Sequence, residues 1–197
     1  MVLIDFAIKK LNGLISYDDS VLRCNEENLV EFIGDKPCKE SLIRTSECIP
    51  MTTSLFYFEV DIVNCREDDC IVVGLSTNDA DRCPGMNMNT IGIYGLDGSI
   101  YQDGEEVASA NSFSKGDTIS CKTIRIKDGS FLRTFCQFFK NGKKNGSLVY
   151  LYGIESKMVS IFRRELFPAV GVGAPGVVVW INLGEKAFRY QIGKLRC

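Results

Sequence analysis

The sequence predicts an all-β fold, an antiparallel sandwich or barrel, on three observations. Apolar and polar residues alternate with a period of two through many short runs. Asn-Gly, Asp-Gly and Pro-Gly pairs punctuate those runs. No long helix-periodic segment is interleaved to carry the chain between parallel strands.

Taken in order, Ile4, Ala7, Ile8, Leu11 and Ile15 recur at helical spacing, which predicts a short amphipathic helix over residues 1–15. "LISY", "VEFI" and "SLIRTS" are weak strand candidates within residues 14–46. "FYFEVDIV" (56–63) is a strong one: Phe56, Phe58, Val60 and Ile62 share one face, and Tyr57, Glu59 and Asp61 the other. β-Branched and aromatic residues then mark 70–76, 90–95, 118–126, 131–140, 148–153, 167–173 and 177–183. Asp97-Gly98, Asp103-Gly104, Asp128-Gly129, Asn141-Gly142, Asn145-Gly146 and Pro175-Gly176 supply the reversals between them, because these pairs tolerate the positive φ of tight turns. Two connections, 78–89 and 153–165, are long enough to carry function. No linker divides the chain, so residues 16–197 read as one domain behind the N-terminal helix.

Composition removes several function classes. With 23 Lys+Arg against 25 Asp+Glu the net charge is −2, which gives no overall attraction for nucleic acid or an anionic membrane. No apolar run reaches the roughly 20 residues that span a bilayer. The start "MVLIDFAIKKLNG" lacks the basic n-region of a secretory signal. The nine cysteines are odd in number and scattered, which predicts free thiols in a reducing compartment, cytoplasmic or nuclear, with Cys121 and Cys136 as small core residues. No Cys set has zinc spacing, so no metal or other cofactor is expected.

The chain contains no histidine, which removes Ser-His-Asp and Cys-His nucleophile activation. Only loop carboxylates remain for an enzyme, Asp79 and Asp81 with Asp68 and Asp69 nearby, and acids in loops are ordinarily solvated. Gly171, Gly173 and Gly176 have the spacing G-x-G-x-x-G, which in a dinucleotide site needs a helix after the last glycine. Here "VVVWI" follows, a strand signal, so the segment reads as a glycine-rich turn between two strands.

In chain order, "FYFEVDIV", "VVGLST", "PGM", "IGIYGLDGSIY", "FSKGDTISC", "FFKNGKKNG", "LFPAVGVGAPGVVVWINLG" and "KAFRY" resemble the blocks of the SPRY domain over about residues 40–190. The likeness is strongest to the branch of Ran-binding-protein-M-like proteins and of secreted SPRY effectors of plant-parasitic nematodes. It implies a bent antiparallel β-sandwich, a concanavalin-like jelly roll. The implied function is non-enzymatic: binding a peptide or loop of a partner protein through a preformed surface of loops at one end of the sandwich, as an adaptor or receptor in a ubiquitin-ligase or signalling context. A structural subunit of a larger complex, or an effector that occupies a host protein, is the alternative, and a small-molecule ligand is not expected. The helical modules that accompany the domain in Ran-binding-protein-M-like proteins have no counterpart in this sequence, in keeping with a stand-alone recognition domain.

Carried over residue by residue, the family's contact surface implies Arg44, Pro50, Met86, Met88, Tyr94, Ala174 and Pro175 as partner-binding residues. In that assignment Arg44 is a charged anchor, Met86 and Met88 an adaptable apolar floor, and Pro175 a rigid rim. The sequence departs from the family at Pro84-Gly85-Met86, where "PGW" is usual, and at the acidic "CREDDC" (65–70).

Overall fold

The computed structural model describes residues 13–16, 21–36, 41–128, 131–151 and 165–190. Fifteen strands follow one another: β1 (Leu14–Ser16), β2 (Leu22–Cys24), β3 (Leu29–Phe32), β4 (Leu42–Thr45), β5 (Leu55–Asn64), β6 (Ile71–Ser76), β7 (Ile91–Tyr94), β8 (Ser99–Gln102), β9 (Glu105–Ser109), β10 (Thr118–Asp128), β11 (Phe131–Lys140), β12 (Lys143–Lys144), β13 (Val149–Tyr150), β14 (Phe167–Val172) and β15 (Val178–Asn182). They form two antiparallel sheets. Sheet one runs β1-β4-β14-β6-β7-β8-β9, and sheet two runs β12-β11-β10-β5-β15-β3-β2 with β13 beside β11. The all-β sandwich expected from period-two alternation is therefore present.

Alternation decides which side chains meet between the sheets. Phe56, Phe58, Val60 and Ile62 of β5 and Phe138 of β11 pack against Ile71, Val73 and Leu75 of β6 and Ile91 and Ile93 of β7 in one core cluster. Phe58 and Phe138 are wholly buried, and each contributes about 1.5–3 kcal/mol by leaving water. Cys121 and Cys136 also lie in this core, with their sulfurs 3.3 Å apart, and all seven cysteines among the described residues are free.

Turn chemistry fixes the register. Asn141 and Gly142, at φ of 51° and 75°, reverse β11 into β12, and Asp103 and Gly104, at 57° and 83°, reverse β8 into β9. The G-x-G-x-x-G segment is a strand-turn-strand: β14 ends at Val172, Gly176 turns with φ 83°, and β15 begins at Val178. Pro168 sits beyond the last β4 pairing, Ala169 with Arg44, where its missing N–H breaks no ladder bond on that side.

One expectation changes, and two others reach beyond the described residues. Residues 1–12 of the predicted helix lie outside the described residues, and its last apolar position, Ile15, is in strand β1 opposite Arg44. Three residues suffice for an edge strand, and pairing with β4 overrides the helical spacing. Within the described part of the 148–153 run, residues 148–151, the strand is Val149–Tyr150, and the long 153–165 connection lies outside the described residues apart from Glu165.

Beyond β15 the chain folds back as a strap across the outer face of sheet two. The buried Glu59 carboxylate holds it, accepting hydrogen bonds from Arg189 N (2.7 Å), Tyr190 N (3.1 Å) and Tyr57 Oη (2.9 Å). Phe188 packs edge-on against Tyr57, with ring centres 4.9 Å apart.

Candidate protein-contact surface

The outer face of sheet one carries the alternate residues of its strands, Leu42 and Arg44 on β4, Val72 and Gly74 on β6, Gly92 and Tyr94 on β7, Ala169 and Gly171 on β14. Leu42, Val72 and Ala169 are nonetheless buried, because residues 77–90 lie across that face. Ala80 packs on Leu42 and Ala169 in a small second cluster. Next along the loop, the Cys83 sulfur lies 2.7 Å from where a side chain on Gly171 would begin, and the Pro84 carbonyl oxygen 2.3 Å from the same point on Gly92. Gly85 follows over Gly92 and Tyr101, and its carbonyl accepts a 2.7 Å hydrogen bond from Gly104 N. The loop thus crosses the sheet from β4 to β8, and the glycines beneath it are what let backbone approach backbone.

Internal hydrogen bonds fix the loop's shape. The Asn87 side chain accepts from Arg82 N (3.0 Å) and donates to Asp81 Oδ1 (2.7 Å). Thr90 Oγ1 donates to Asn87 O (2.6 Å) and accepts from Gly85 N (2.9 Å), and Asn89 N donates to Asp103 Oδ1. A loop so held loses little conformational entropy on binding. Two acids considered for catalysis serve as loop staples: Asp81 as above, and Asp69, whose carboxylate accepts from Arg66 N at 2.7 Å. Among the described residues no group of three metal-ligating side chains converges.

Strand direction divides the seven expected contact residues. Arg44 and Pro50 lie where β4 ends and β6 runs out into the loop, an end called upper from here on. Tyr94, Ala174 and Pro175 lie at the lower end, where β7 and β14 finish. Met86 sits in the crossing loop between them, and Met88 on its return, next to Asn89 and the β8–β9 turn. They therefore do not gather at one end of the sandwich, because the loop joins the two ends across a sheet face.

Their exposure differs too. Met88 is 69% exposed, whereas Met86, Tyr94, Pro50 and Pro175 are half-buried. Arg44 and Ala174 are buried, at 7% and 5% exposure. Flanked by β1 and β14, Arg44 stacks its guanidinium 4.1 Å from the centre of the Phe167 ring and donates to Asn78 Oδ1 and Thr45 O, both at 2.9 Å. The Tyr94 ring meets the Tyr101 ring at 5.0 Å, and burial pushes the Tyr94 phenol well above its ordinary pKa, so it stays neutral and able to donate. Sequence reading took the 78–89 connection as a functional loop but did not single out Cys83, Pro84 and Gly85 as the residues that seat it, nor Tyr101; the available signal was glycine at the outward positions 92 and 171.

At the upper end Arg125, 5% exposed, donates to Pro50 O at 2.5 Å and to Ile49 O at 3.4 Å, so a buried cation from β10 fixes the 46–54 loop. Burial holds its pKa below the usual arginine value. Among the described residues no helix is long and apolar enough to cross a membrane.

The molecule is thus a two-sheet antiparallel sandwich with a hydrogen-bonded loop laid over one face. Comparison with known proteins agrees. The SPRY domain family profile matches residues 55–186. Ran-binding protein 9 of Xenopus laevis is 30% identical over 153 residues, which covers 76% of this chain and 25% of that protein. The Ran-binding protein M homolog of Arabidopsis thaliana is 25% identical over 154 residues, covering 77% and 30%. A crystal structure of a human SPRY domain superposes with a TM-score of 0.63 at 20% identity, covering 89% of this chain and 100% of that one. The SPRY domain of human HERC1 does so at 0.60 and 19%, covering 84% and 94%. The chain belongs to the SPRY domain family, a family of protein-interaction modules. It spans about a quarter of the length of the curated Ran-binding protein 9 it matches.

Proposed function

We propose that this protein binds a short peptide or loop of a partner protein on the surface made by residues 77–90 and the outer face of sheet one. The carrying observation is the pinned loop, which holds Met88 out in solvent and Met86 half-buried at a fixed place beside Tyr101 and Gly104. A flexible thioether on a rigid backbone gives apolar contact that adapts to the ligand at small entropic cost. Tyr94 adds a neutral phenol and Pro175 a stiff edge toward the lower end. Arg44, bound to Asn78 at the loop's entry, acts as a positioning residue, and Ala174 supports the Pro175 turn from beneath.

An adaptor or receptor role in a ubiquitin-ligase or signalling setting, in cytoplasm or nucleus, fits a domain of a protein-interaction family. Occupation of a host protein by an effector would use the same surface.

Selection of short displayed peptides on the purified protein tests the reading. Peptides recovered on the wild type should lose about tenfold or more in affinity on Met88→Asp, with the melting temperature unchanged because Met88 is exposed. If no recovered peptide depends on Met86, Met88, Tyr94 or Pro175, the surface is not the binding site. A charge at Ala174 is no clean probe, since the site is buried and the substitution would unfold the turn.

A further inference from the structure

We propose that the segment bound on the outer face of sheet one is basic, carrying Arg or Lys beside an apolar anchor; the inference rests on the contact surface proposed above and names its partner's chemistry. Charge is unevenly spread along the chain. The stretch from β6 through β9, residues 71–109, holds six acids and one cation, Arg82, in a chain with 25 Asp+Glu and 23 Lys+Arg; the remainder therefore holds 19 acids against 22 cations. All six acids are exposed. Register or a bond places four of them around the apolar contacts. Glu106 pairs with Tyr101, which pairs with Gly92, so its side chain shares the outer face with the Tyr101 ring. Asp97 follows Tyr94 in the β7–β8 turn; burial chiefly raises the Tyr94 phenol, and the nearby Asp97 charge adds to the rise. Leu96, beside it, is 60% exposed. Asp103 accepts from Asn89 N, next to Met88, and Asp81 accepts from the Asn87 amide.

Rings and carboxylates together select a cation. The Tyr94 and Tyr101 rings are each partly exposed and meet edge-on, with Asp97 next to the first and Glu106 next to the second. Ring faces attract a cation and the carboxylates pair with it; a planar guanidinium, which stacks as well as pairs, suits the place better than an ammonium. The acids keep their charge where they serve the fold, because the donors to Asp97, Asp103 and Asp81 are the neutral N–H groups of Ser99, Asn89 and Asn87. Of the cations near this surface, Arg44 is held beneath the loop entry by the Phe167 ring and Asn78, and Arg66 at the lower end is paired with Asp69 at 3.4 Å. Arg82 stands in the loop where Asn87 accepts from its backbone N–H, one cation among six acids. The apolar contacts of Met86, Met88 and Leu96 therefore lie in a negative field, which steers a basic segment inward and turns away acidic peptides, nucleic acid and anionic lipid.

Displayed peptides selected on the full chain test the inference with charge-neutralising variants. Peptides that weaken about fivefold or more on Met88→Ser, which removes the thioether without changing the charge, report binding at this surface. They are expected to carry Lys or Arg beside Leu, Phe or Met. Asp97→Asn combined with Glu106→Gln should weaken them about fivefold, chiefly through slower association, and flatten the dependence of binding on salt. Replacing the peptide's Lys and Arg by Gln should erase the difference between wild type and that double variant. Glu26→Gln, the same loss of charge in the β2–β3 turn of sheet two, should leave affinity unchanged, and melting temperatures should stay put because all these positions are exposed. Met88-dependent peptides that are acidic or uncharged, or that bind the double variant as well as the wild type, overturn the inference and leave the proposed function standing. If no peptide depends on Met86, Met88, Tyr94 or Pro175, both are refuted. A double variant that alters self-association of the chain, with no basic peptide affected, overturns the inference as well.

Discussion

Gly92→Ala is the sharpest test of how the contact loop is held. A side chain at residue 92 would begin 2.3 Å from the Pro84 carbonyl oxygen and 2.7 Å from Val72 Cγ1, where an ordinary contact is at least 3.4 Å, so Pro84 must retreat by about 1 Å. Retreat is opposed by the bonds that hold the next residue, Gly104 N to Gly85 O and Gly85 N to Thr90 Oγ1. Overpacking of this kind costs about 1–3 kcal/mol. In a chain of this size each kcal/mol lowers Tm by about 2–4 °C, so a fall of roughly 2–12 °C is expected in differential scanning calorimetry. Amide exchange locates the damage: the Gly85 and Gly104 N–H groups should lose protection. Gly116→Ala is the control, since nothing lies within 4 Å of its side-chain position and only its positive φ of 90° is strained. It should lower Tm while leaving Gly85 and Gly104 protected. Unchanged protection of those two amides in Gly92→Ala would refute the packing of the loop on β7.

Three further outcomes follow from the geometry. Glu59→Gln keeps the shape of a side chain that accepts from Arg189 N, Tyr190 N and Tyr57 Oη but has one oxygen for them, so about 2–3 kcal/mol of strap docking should be lost and trypsin should cut after Lys186 and Arg189 faster; unchanged cleavage would mean that Glu59 does not hold the strap. Burial alone would raise the Asp117 carboxyl, but Ser114 N, the Asn141 amide and Lys140 outweigh it and hold it below the ordinary carboxylate value. As pH falls, the unfolded carboxyl takes its proton near the ordinary value of about 3.9 and the folded one only lower down, so the stability Asp117 supplies is full above that value and is lost as pH drops through the folded pKa. The stability gap between wild type and Asp117→Asn should therefore close toward low pH, and a gap constant with pH would count against the pairing. In thiol titration of the native protein, among the seven described cysteines Cys24 and Cys70 should react first and Cys83, Cys121 and Cys136 only on unfolding; early modification of Cys121 would mean that the β10–β11 core opens.

Strands written as unbroken alternation, such as β5, β10 and β11, were legible in the sequence, as was Asn141-Gly142, whose positive φ leaves the hairpin little choice. β9 was not. Glu105-Glu106-Val107-Ala108-Ser109 is poor in β-formers, and it is a strand because β8 offers it an edge; its acids then point into water and discourage further pairing. Ile15 misled in the opposite sense, since helical spacing is a local signal and the pairing with Arg44 is not.

The site was harder to read, and Arg44 shows why. As a charge beside a probable loop it looks exposed, yet β1 and β14 flank its strand and the Phe167 ring and Asn78 satisfy its guanidinium, so it holds the surface from behind. What a single sequence does record of the site is the place where side chains are missing. Gly92 and Gly171 fall at outward positions of strands whose neighbours are Ile, Val and Tyr, where a solvent-facing strand gains nothing from glycine and pays its entropy. Glycine there makes physical sense only if another stretch of backbone comes down onto the strand, as 83–85 does. Such outward glycines, taken together with one long connection in the same sheet, locate a contact loop better than the charged and aromatic residues that first draw the eye.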